Sequence, residues 1–215
     1  MTTAAAVAAL EKPLQYLKGV GPKRSALFEA LGLKNLGDLL YYLPRDWQDR
    51  HETADLSLPT ATGLVVVQGR VLRAGQYPAG PSLVLFKASL ATRMGKVTAV
   101  WFKHRSRRFD VFAGLTEDVA VGQDVWLVGR AEPDMAGIRE IHVDEHYPIA
   151  DERWAIHVQR IAPIYPLHEG LTQRLMRELL FKAVSEAAPP ARDAVPPALM
   201  QKRQLLSASQ AFHAI

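Results

Sequence analysis

The chain has 215 residues, enough for one large domain or two small ones. Its apolar content of 48%, charged content of 22% and net charge of +4 are ordinary for a globular protein and exclude a chain that is disordered throughout. It contains no cysteine, which excludes disulfides, thiol nucleophiles and cysteine-ligated metal sites. Because no apolar run approaches the ~18 residues of a membrane helix and no basic residue precedes the apolar start, we expect a soluble intracellular protein.

The first quarter of the chain has the spacing of helices. Apolar residues recur at helical intervals, and proline, asparagine and glycine stand where helices start and stop. The predicted helices are residues 4–17 with a restart at Pro13, a helix that begins at Pro22 and is closed by Gly32, and Leu36–Leu43, capped by Asn35 and ended by Pro44.

Between the first two helices lies Gly19-Val20-Gly21, which resembles the turn of a helix-hairpin-helix motif. Glycines allow a phosphate to approach the backbone, and the helix that follows offers free N–H groups. Lys23 and Arg24 would add positive charge there. The same residues also fit a simple tight turn between packed helices, so the phosphate site (Gly19, Gly21, Lys23, Arg24) is one of two interpretations.

From Leu64 onward the apolar period changes from 3.6 to 2, which predicts strands. The predicted strands are Leu64–Leu72, Leu83–Ala91, Val97–Phe102, Asp124–Ala131 and Ile138–Tyr147. Arg105–Ala113, between the third and fourth strands, is predicted to be helical. Five strands with a helix at this place follow the order of an OB-fold, a small Greek-key barrel, although another small barrel or a sandwich has the same strand count.

Positive charge is concentrated in these strands. Residues 68–110 hold nine Lys or Arg and a single acid, whereas residues 111–160 hold four basic and ten acidic residues. Such a local excess is typical of a surface that binds a polyanion, although a charge run can also be a solvated face. In Trp101–Phe109, cations alternate with aromatic residues, a pattern that suits phosphate neutralisation combined with base stacking and favours nucleic acid.

The end of the third predicted strand carries two adjacent aromatic residues. Val97, Ala99 and Trp101 fall on one face, and Val100 and Phe102 fall on the other. One of the two aromatics therefore belongs to the core, and the alternation leaves open which one.

The last third of the chain is predicted to be irregular and then helical. Thr172–Ala187 is an amphipathic helix with Leu175, Leu179, Phe181 and Val184 on its apolar side. Pro189-Pro190 and Pro196-Pro197 bracket a linker. Leu205–Ile215 is helical in character but has no C-cap, so we expect a fragment that ends within an element.

Catalytic signatures are not found in the sequence. It has no G-x-S-x-G elbow, no phosphate-binding P-loop and no obvious carboxylate pair. His142, Asp144 and His146 alternate along one predicted strand and would share a face, as metal ligands do, but such sets are more often solvent-facing polar residues. We therefore predict a binding module without catalytic residues, cofactor or metal of its own.

Several of these residues together resemble the amino-terminal region of the RecG family, the bacterial ATP-dependent helicases of branched DNA. The resemblance spans nearly the whole chain. Its motifs are Leu17-Lys18-Gly19-Val20-Gly21-Pro22-Lys23, Leu31-Gly32-Leu33, Asp38-Leu39-Leu40, Leu43-Pro44-Arg45, Asp49-Arg50, Val100-Trp101-Phe102, Pro163-Ile164-Tyr165-Pro166-Leu167, Glu169-Gly170-Leu171 with Gln173, and Ala211-Phe212-His213-Ala214-Ile215.

The resemblance implies a wedge domain that splits strands at replication forks and Holliday junctions, serving recombination and repair. ATP and Mg²⁺ would act in helicase motor domains outside these residues, and the location would be the bacterial cytoplasm with its nucleoid. Phe102 matches the aromatic residue that stacks at the junction, so the resemblance implies that Phe102, and not Trp101, is the exposed one of the pair. A second aromatic, a tyrosine in the family, is Ser106 here, so Trp101 or Phe109 could replace it, and the family's asparagine is Lys103.

These interpretations divide the chain into a helical segment (1–54), an OB-fold wedge (55–150) and a linker toward the motor domains (151–215). The expected partners are branched DNA, single-stranded DNA at the branch, and those motor domains, with no membrane. Predicted phosphate contacts are Lys103, Arg105, Arg107, Arg108, Arg70, Arg73 and Lys96. The alternatives are a stand-alone OB-fold that binds single-stranded DNA and an enzyme with a metal on the His142 face.

Overall fold

The computed structural model describes residues 8–53, 63–106, 108–133, 139–187, 193 and 195–214. They fall into two compact units, one within residues 1–48 and 163–215 and the other within residues 49–162. The segments predicted as separate ends of the chain, 1–54 and 151–215, therefore both contribute to the first unit. The longer elements in chain order are α1 (Pro22–Ala30), α2 (Leu36–Leu40), β1 (Asp46–Asp49), β2 (Leu64–Pro78), β3 (Leu83–Thr92), β4 (Gly95–His104), α3 (Ala113–Asp118), β5 (Asp124–Pro133), β6 (Arg139–Pro148), β7 (Ile161–Ile164), α4 (Gln173–Ala187), α5 (Pro197–Arg203) and α6 (Ala208–Ala214).

The unit of residues 49–162 is a closed barrel with the strand order β2-β3-β4-β6-β5. Its neighbouring strands are antiparallel except β4 and β6, which are parallel. This is the OB-fold order, so the predicted α+β fold with a five-stranded barrel is confirmed. A short ladder joins β1 to β7.

The barrel closes around the side chains that point inward, which are every second residue along its strands. The inward side chains form one buried cluster with three residues of the α3 region, Phe112, Leu115 and Val119. The helix predicted over Arg105–Ala113 is wrong, since α3 begins only at Ala113. The reason is a local turn in which Asp110 Oδ1 accepts a hydrogen bond from the Phe112 N–H at 2.9 Å and directs Phe112 into the barrel.

Two bulges interrupt the alternation. One lies in β2 between Val71 and Arg73, and the other shifts the pairing of β5 with β6 after Val128. At the second bulge Gly129 lies so close to β6 that a Cβ there would stand 2.1 Å from the His142 carbonyl oxygen. Glycine is therefore required where the two strand backbones approach each other.

The helical unit begins with residues 8–10 in helical conformation and a 3₁₀ turn at Leu14–Tyr16. Asn35 caps α2 as predicted and forms a capping box with Asp38, although the helix ends at Leu40 and not at Leu43. Pro22 opens α1, and Gly32 follows its last residue with a φ of +80°.

The longest helix, α4, buries a narrower face than its sequence predicts. Met176, Leu179, Leu180 and Ala183 are buried at the spacing i, i+3, i+4 and i+7. Phe181 was predicted on this face but is 54% exposed, because it lies about 100° around the helix from Leu180. None of the helices among the described residues is long and apolar enough to span a bilayer.

Hydrogen bonds from side chains to the backbone fix the segment of residues 163–173 within this unit. The Gln173 side chain accepts from the Tyr165 N–H at 2.9 Å and donates to the Tyr165 carbonyl at 2.8 Å. The Tyr42 hydroxyl donates to the Pro166 carbonyl at 2.7 Å, and its ring stacks on that of Tyr165 with 6.3 Å between centroids. Residues of the family motif at 163–173 therefore stabilise the fold of this unit.

Candidate nucleic-acid interface

The end of β4 presents one aromatic ring outward and buries the other. Phe102 is 48% exposed on the outer face, with its ring centroid 4.9 Å from that of His142 in an edge-on arrangement. Trp101 is only 6% exposed and packs edge-on against Phe86 inside the barrel. The prediction that Phe102 is the exposed residue is confirmed. The suggestion that Trp101 could serve as a stacking platform is corrected, because the barrel core covers its ring.

Phe102 belongs to a row of outward side chains that crosses three strands. Tyr77 of β2 pairs with Leu85 of β3, which pairs with Phe102 of β4. Tyr77 is 52% exposed. It was not predicted as a site residue, because the sequence prediction ended the first strand at Leu72, and the bulge next to that residue hides the continued alternation. The signal that could have found it is the short connection to Leu83, which pairs the end of β2 with the start of β3.

The chain that leaves β4 carries exposed cations close to Phe102. Arg105 and Arg108 are exposed, and Phe109 between them and α3 is 68% exposed. The segment is anchored to the barrel, since the Arg105 N–H donates to the Ser82 carbonyl at 2.8 Å. Arg107, also predicted to bind phosphate, lies outside the described residues.

The side chain of Lys103 is hydrogen-bonded to the segment between β4 and α3. Its Nζ donates to the Val111 carbonyl at 2.7 Å and lies 5.2 Å from the centre of the Phe112 ring. Lys103 thus helps to fix the chain between β4 and α3, and a phosphate contact would have to compete with this hydrogen bond.

The remaining predicted cations of the barrel lie farther from Phe102 along the strands, and Arg73 is in the row of Ser89 and Thr98. Arg73 is exposed on the outward face of β2. Lys96 is also exposed, but it lies at the start of β4, six residues or about 20 Å from Phe102 along the strand. Arg70 pairs with Asp124 through two hydrogen bonds of 3.0 and 2.5 Å. That guanidinium lowers the pKa of the Asp124 carboxyl below its ordinary value.

The Gly19 turn in the helical unit has the backbone geometry that its sequence predicts. Gly19 has a φ of +105°, and Gly21 is the N-cap of α1 without a side-chain cap. Arg24 folds back so that Nη1 donates to the Gly19 carbonyl at 2.7 Å, while Lys23 is exposed. A phosphate role for this turn stays a prediction.

The shared face that the sequence predicted for His142, Asp144 and His146 on β6 is corrected. The bulge inserts Asp144 as an extra residue between Val143, paired with Gly129, and Glu145, paired with Val128. As a result His142 points outward toward Phe102, whereas His146 lies edge-on against the buried Trp101. Within the described ranges, no three His, Asp or Glu side chains are grouped as metal ligands would be.

The fold and this surface define an OB-type barrel with a candidate nucleic-acid interface. Residues 13–187 match the model of the RecG wedge domain. The chain therefore belongs to the RecG wedge domain family.

Known relatives extend over nearly all of these residues. The chain is 28% identical over 205 residues to the ATP-dependent DNA helicase RecG of Thermotoga maritima, covering 95% of this chain and 25% of that protein. With the protein of the same name from Synechocystis it shares 27% identity over 214 residues, covering 94% and 25%. The structure of RecG bound to a three-way DNA junction matches with a TM-score of 0.75 and 28% identity, over 95% of this chain and 27% of that one. The chain thus spans about a quarter of the length of these relatives.

Proposed function

We propose that this chain is the branched-DNA-binding wedge of an ATP-dependent DNA helicase that reverses stalled forks and branch-migrates Holliday junctions. The observation that carries the proposal is the exposed Phe102 ring near the end of β4, followed along the chain by the exposed cations Arg105 and Arg108. A matched relative is a RecG bound to a three-way DNA junction, which supports branched DNA as the ligand.

In the proposed mechanism Phe102 stacks on the base that is exposed where the strands part. Unstacking a base step costs a few kcal/mol, and one aromatic platform returns about 1–3 kcal/mol. Arg105, Arg108 and Arg73 then hold the separated strands by neutralising their phosphates. The barrel contributes a fixed support, because Phe102 stands on a strand that is paired on both sides.

The energy for strand separation would come from motor domains of the same protein that hydrolyse ATP with Mg²⁺. Such domains lie outside these 215 residues. The setting that we propose is bacterial recombination and repair in the cytoplasm, at the nucleoid.

The test compares binding of this chain to a three-way fork, a duplex and a single strand of matched length at two salt concentrations. We expect the fork to bind most tightly. A preference for the single strand would instead identify a stand-alone OB module, and equal affinities would contradict the wedge.

Two substitutions identify the surface. Phe102→Ala should weaken fork binding about fivefold or more and duplex binding much less. Replacing both Arg105 and Arg108 by glutamine should reduce the dependence of log K on log salt by up to ~1.8, whereas Lys34→Gln, which removes an exposed charge of the helical unit, should leave fork binding nearly unchanged. Equal losses on every DNA for Phe102→Ala would contradict its role at the branch.

A further inference from the structure

We infer that Tyr77 is a second stacking platform, so that the outward row Tyr77-Leu85-Phe102 receives two consecutive unpaired bases of one strand. This inference rests on the proposed function, because it deepens the same surface. It also answers the question raised by Ser106, the position where the sequence lacks an expected aromatic residue.

The register of the barrel places Tyr77 and Phe102 on the same face. Directly paired residues in antiparallel strands point the same way, and both pairs, Tyr77 with Leu85 and Leu85 with Phe102, are antiparallel. The neighbouring residue Phe86 is in the core, so Leu85 and its two partners point outward. Phe109 is also exposed, but it lies on the segment after β4 and not in this row.

The Tyr77 ring packs against its own strand and remains half exposed. A Cβ at Gly75 would be 3.5–3.6 Å from the Tyr77 ring and hydroxyl, so the hydroxyl end of the ring lies over the bare backbone of Gly75. About half of the residue nevertheless stays exposed. Because this contact restricts the ring before DNA binds, the ring loses less conformational freedom on binding, and its exposed part is available to a base.

The spacing determines what the row can hold. Tyr77 and Phe102 are two strand spacings apart, about 10 Å, which is much wider than the ~3.4 Å thickness of one base. One base cannot fill that gap. Each ring therefore stacks on a separate base, and Leu85 provides an apolar contact surface between the two. Lys87, which follows in the next outward row, is paired with Glu140 at 2.7 Å and leaves phosphate neutralisation to Arg73 and Arg105.

The experiment measures binding of the 215-residue chain to a fork with unpaired bases at the branch. Fluorescent 2-aminopurine is placed in turn at each of the first four unpaired positions. We expect Tyr77→Ala to weaken binding about five- to tenfold, and Tyr77→Phe to stay within twofold of the parent because it keeps the ring. Tyr77→Leu still covers Gly75 and should lose as much affinity as Tyr77→Ala. Tyr16→Ala, which removes an exposed tyrosine of the helical unit, is the matched control.

The positions quenched by the two rings should differ. Phe102→Ala should relieve quenching at one position and Tyr77→Ala at the next, and the double substitution should multiply the two losses. If Tyr77→Leu binds like the parent, or Tyr77→Phe loses as much as Tyr77→Ala, the stacking role of Tyr77 is wrong while a loss in Phe102→Ala still supports the wedge. If Phe102→Ala has no effect, the wedge proposal fails. In that case the Tyr77 proposal stands only if Tyr77→Ala still relieves quenching at one position.

Discussion

Replacing Arg50 by methionine tests a buried ion pair. Arg50 directly follows β1, and its partner is Glu145 of β6. The Arg50 guanidinium donates to both oxygens of Glu145, at 3.2 and 2.8 Å, and the two side chains are 4% and 18% exposed. The Tyr147 hydroxyl also donates to Glu145. Burial opposes the charge of Arg50, but its hydrogen bonds to Glu145 and the charge of that residue outweigh burial and raise the pKa of Arg50.

Arg50→Met should lower the free energy of unfolding of the barrel by about 3 kcal/mol. Removal of one partner leaves a carboxylate without its counter-charge in a shielded position, and such losses are typically ~3–5 kcal/mol. The lower end applies because Glu145 can reach some water and keeps the Tyr147 hydroxyl. The double variant Arg50→Met with Glu145→Gln should recover more than half of the loss, since it leaves no unpaired charge.

Urea unfolding followed by tryptophan fluorescence measures this effect. Trp101, Trp126 and Trp154 belong to the barrel unit, so the signal reports mainly on its unfolding. With a slope of ~2 kcal/mol per molar urea, the midpoint should fall by about 1.5 M. The control is Arg153→Met, which breaks an exposed pair with Asp151 at 2.5 Å and should cost less than about 1 kcal/mol.

A midpoint of Arg50→Met that matches the Arg153→Met control would refute this reasoning. So would a double variant that is no more stable than Arg50→Met, because the loss would then come from packing of the arginine stem and not from an unpaired charge.

Three further changes test other parts of the fold. Gly129→Ala should lower the free energy of unfolding by more than about 2 kcal/mol, because its Cβ would collide with a β6 carbonyl oxygen. The control Gly114→Ala, with no atom within 4 Å of the added Cβ, should be neutral or stabilising. Equal urea midpoints for the two variants would contradict the close approach of the strands. Asn35→Ala removes the cap of α2 and should cost about 1 kcal/mol, measurable by thermal unfolding. Arg70 lowers the pKa of Asp124 below its ordinary 3.8, so this pair stabilises the fold above that pH and the contribution is lost on acidification. Arg70→Gln should therefore weaken the pH dependence of the free energy of unfolding at acidic pH. An unchanged pH dependence would mean that the pair does not contribute to stability.

The strands could be predicted because their cause is local. Phe86, Ala88 and Leu90 of β3 are buried, and the polar residues between them, Lys87 and Ser89, are partly exposed, which is the pattern that burial of every second residue requires. The five-stranded order followed from the position of the long connection between β4 and β5. The exact start of the helix in this connection did not follow, because it depends on the turn at Asp110 and on the place of Phe112 in the barrel.

The composition of the candidate site depended on register, which the sequence does not display. The bulge at Leu72 hid the continuation of β2 to Tyr77, and the bulge at Asp144 separated His142 from His146. A single inserted residue reverses the face of everything beyond it. Alternation placed Trp101 and Phe102 on opposite faces of an unbulged strand, the family resemblance indicated which of them is exposed, and alternation failed where a bulge intervened.

The residues that carry the family resemblance are mostly those that hold the fold. Gln173 closes two hydrogen bonds on Tyr165, Gly170 adopts a φ of +92° against Leu27, and Arg50 is buried on Glu145. None of these side chains is presented to a ligand on the barrel's outward row. A motif built from such residues specifies the fold more strongly than the binding surface. An exposed aromatic residue can stand on one strand or on its neighbour without changing any buried contact. For this reason a serine at position 106 is compatible with the wedge, and Tyr77, two strands from Phe102 on the same face, is the residue at which a second stacking role should be tested.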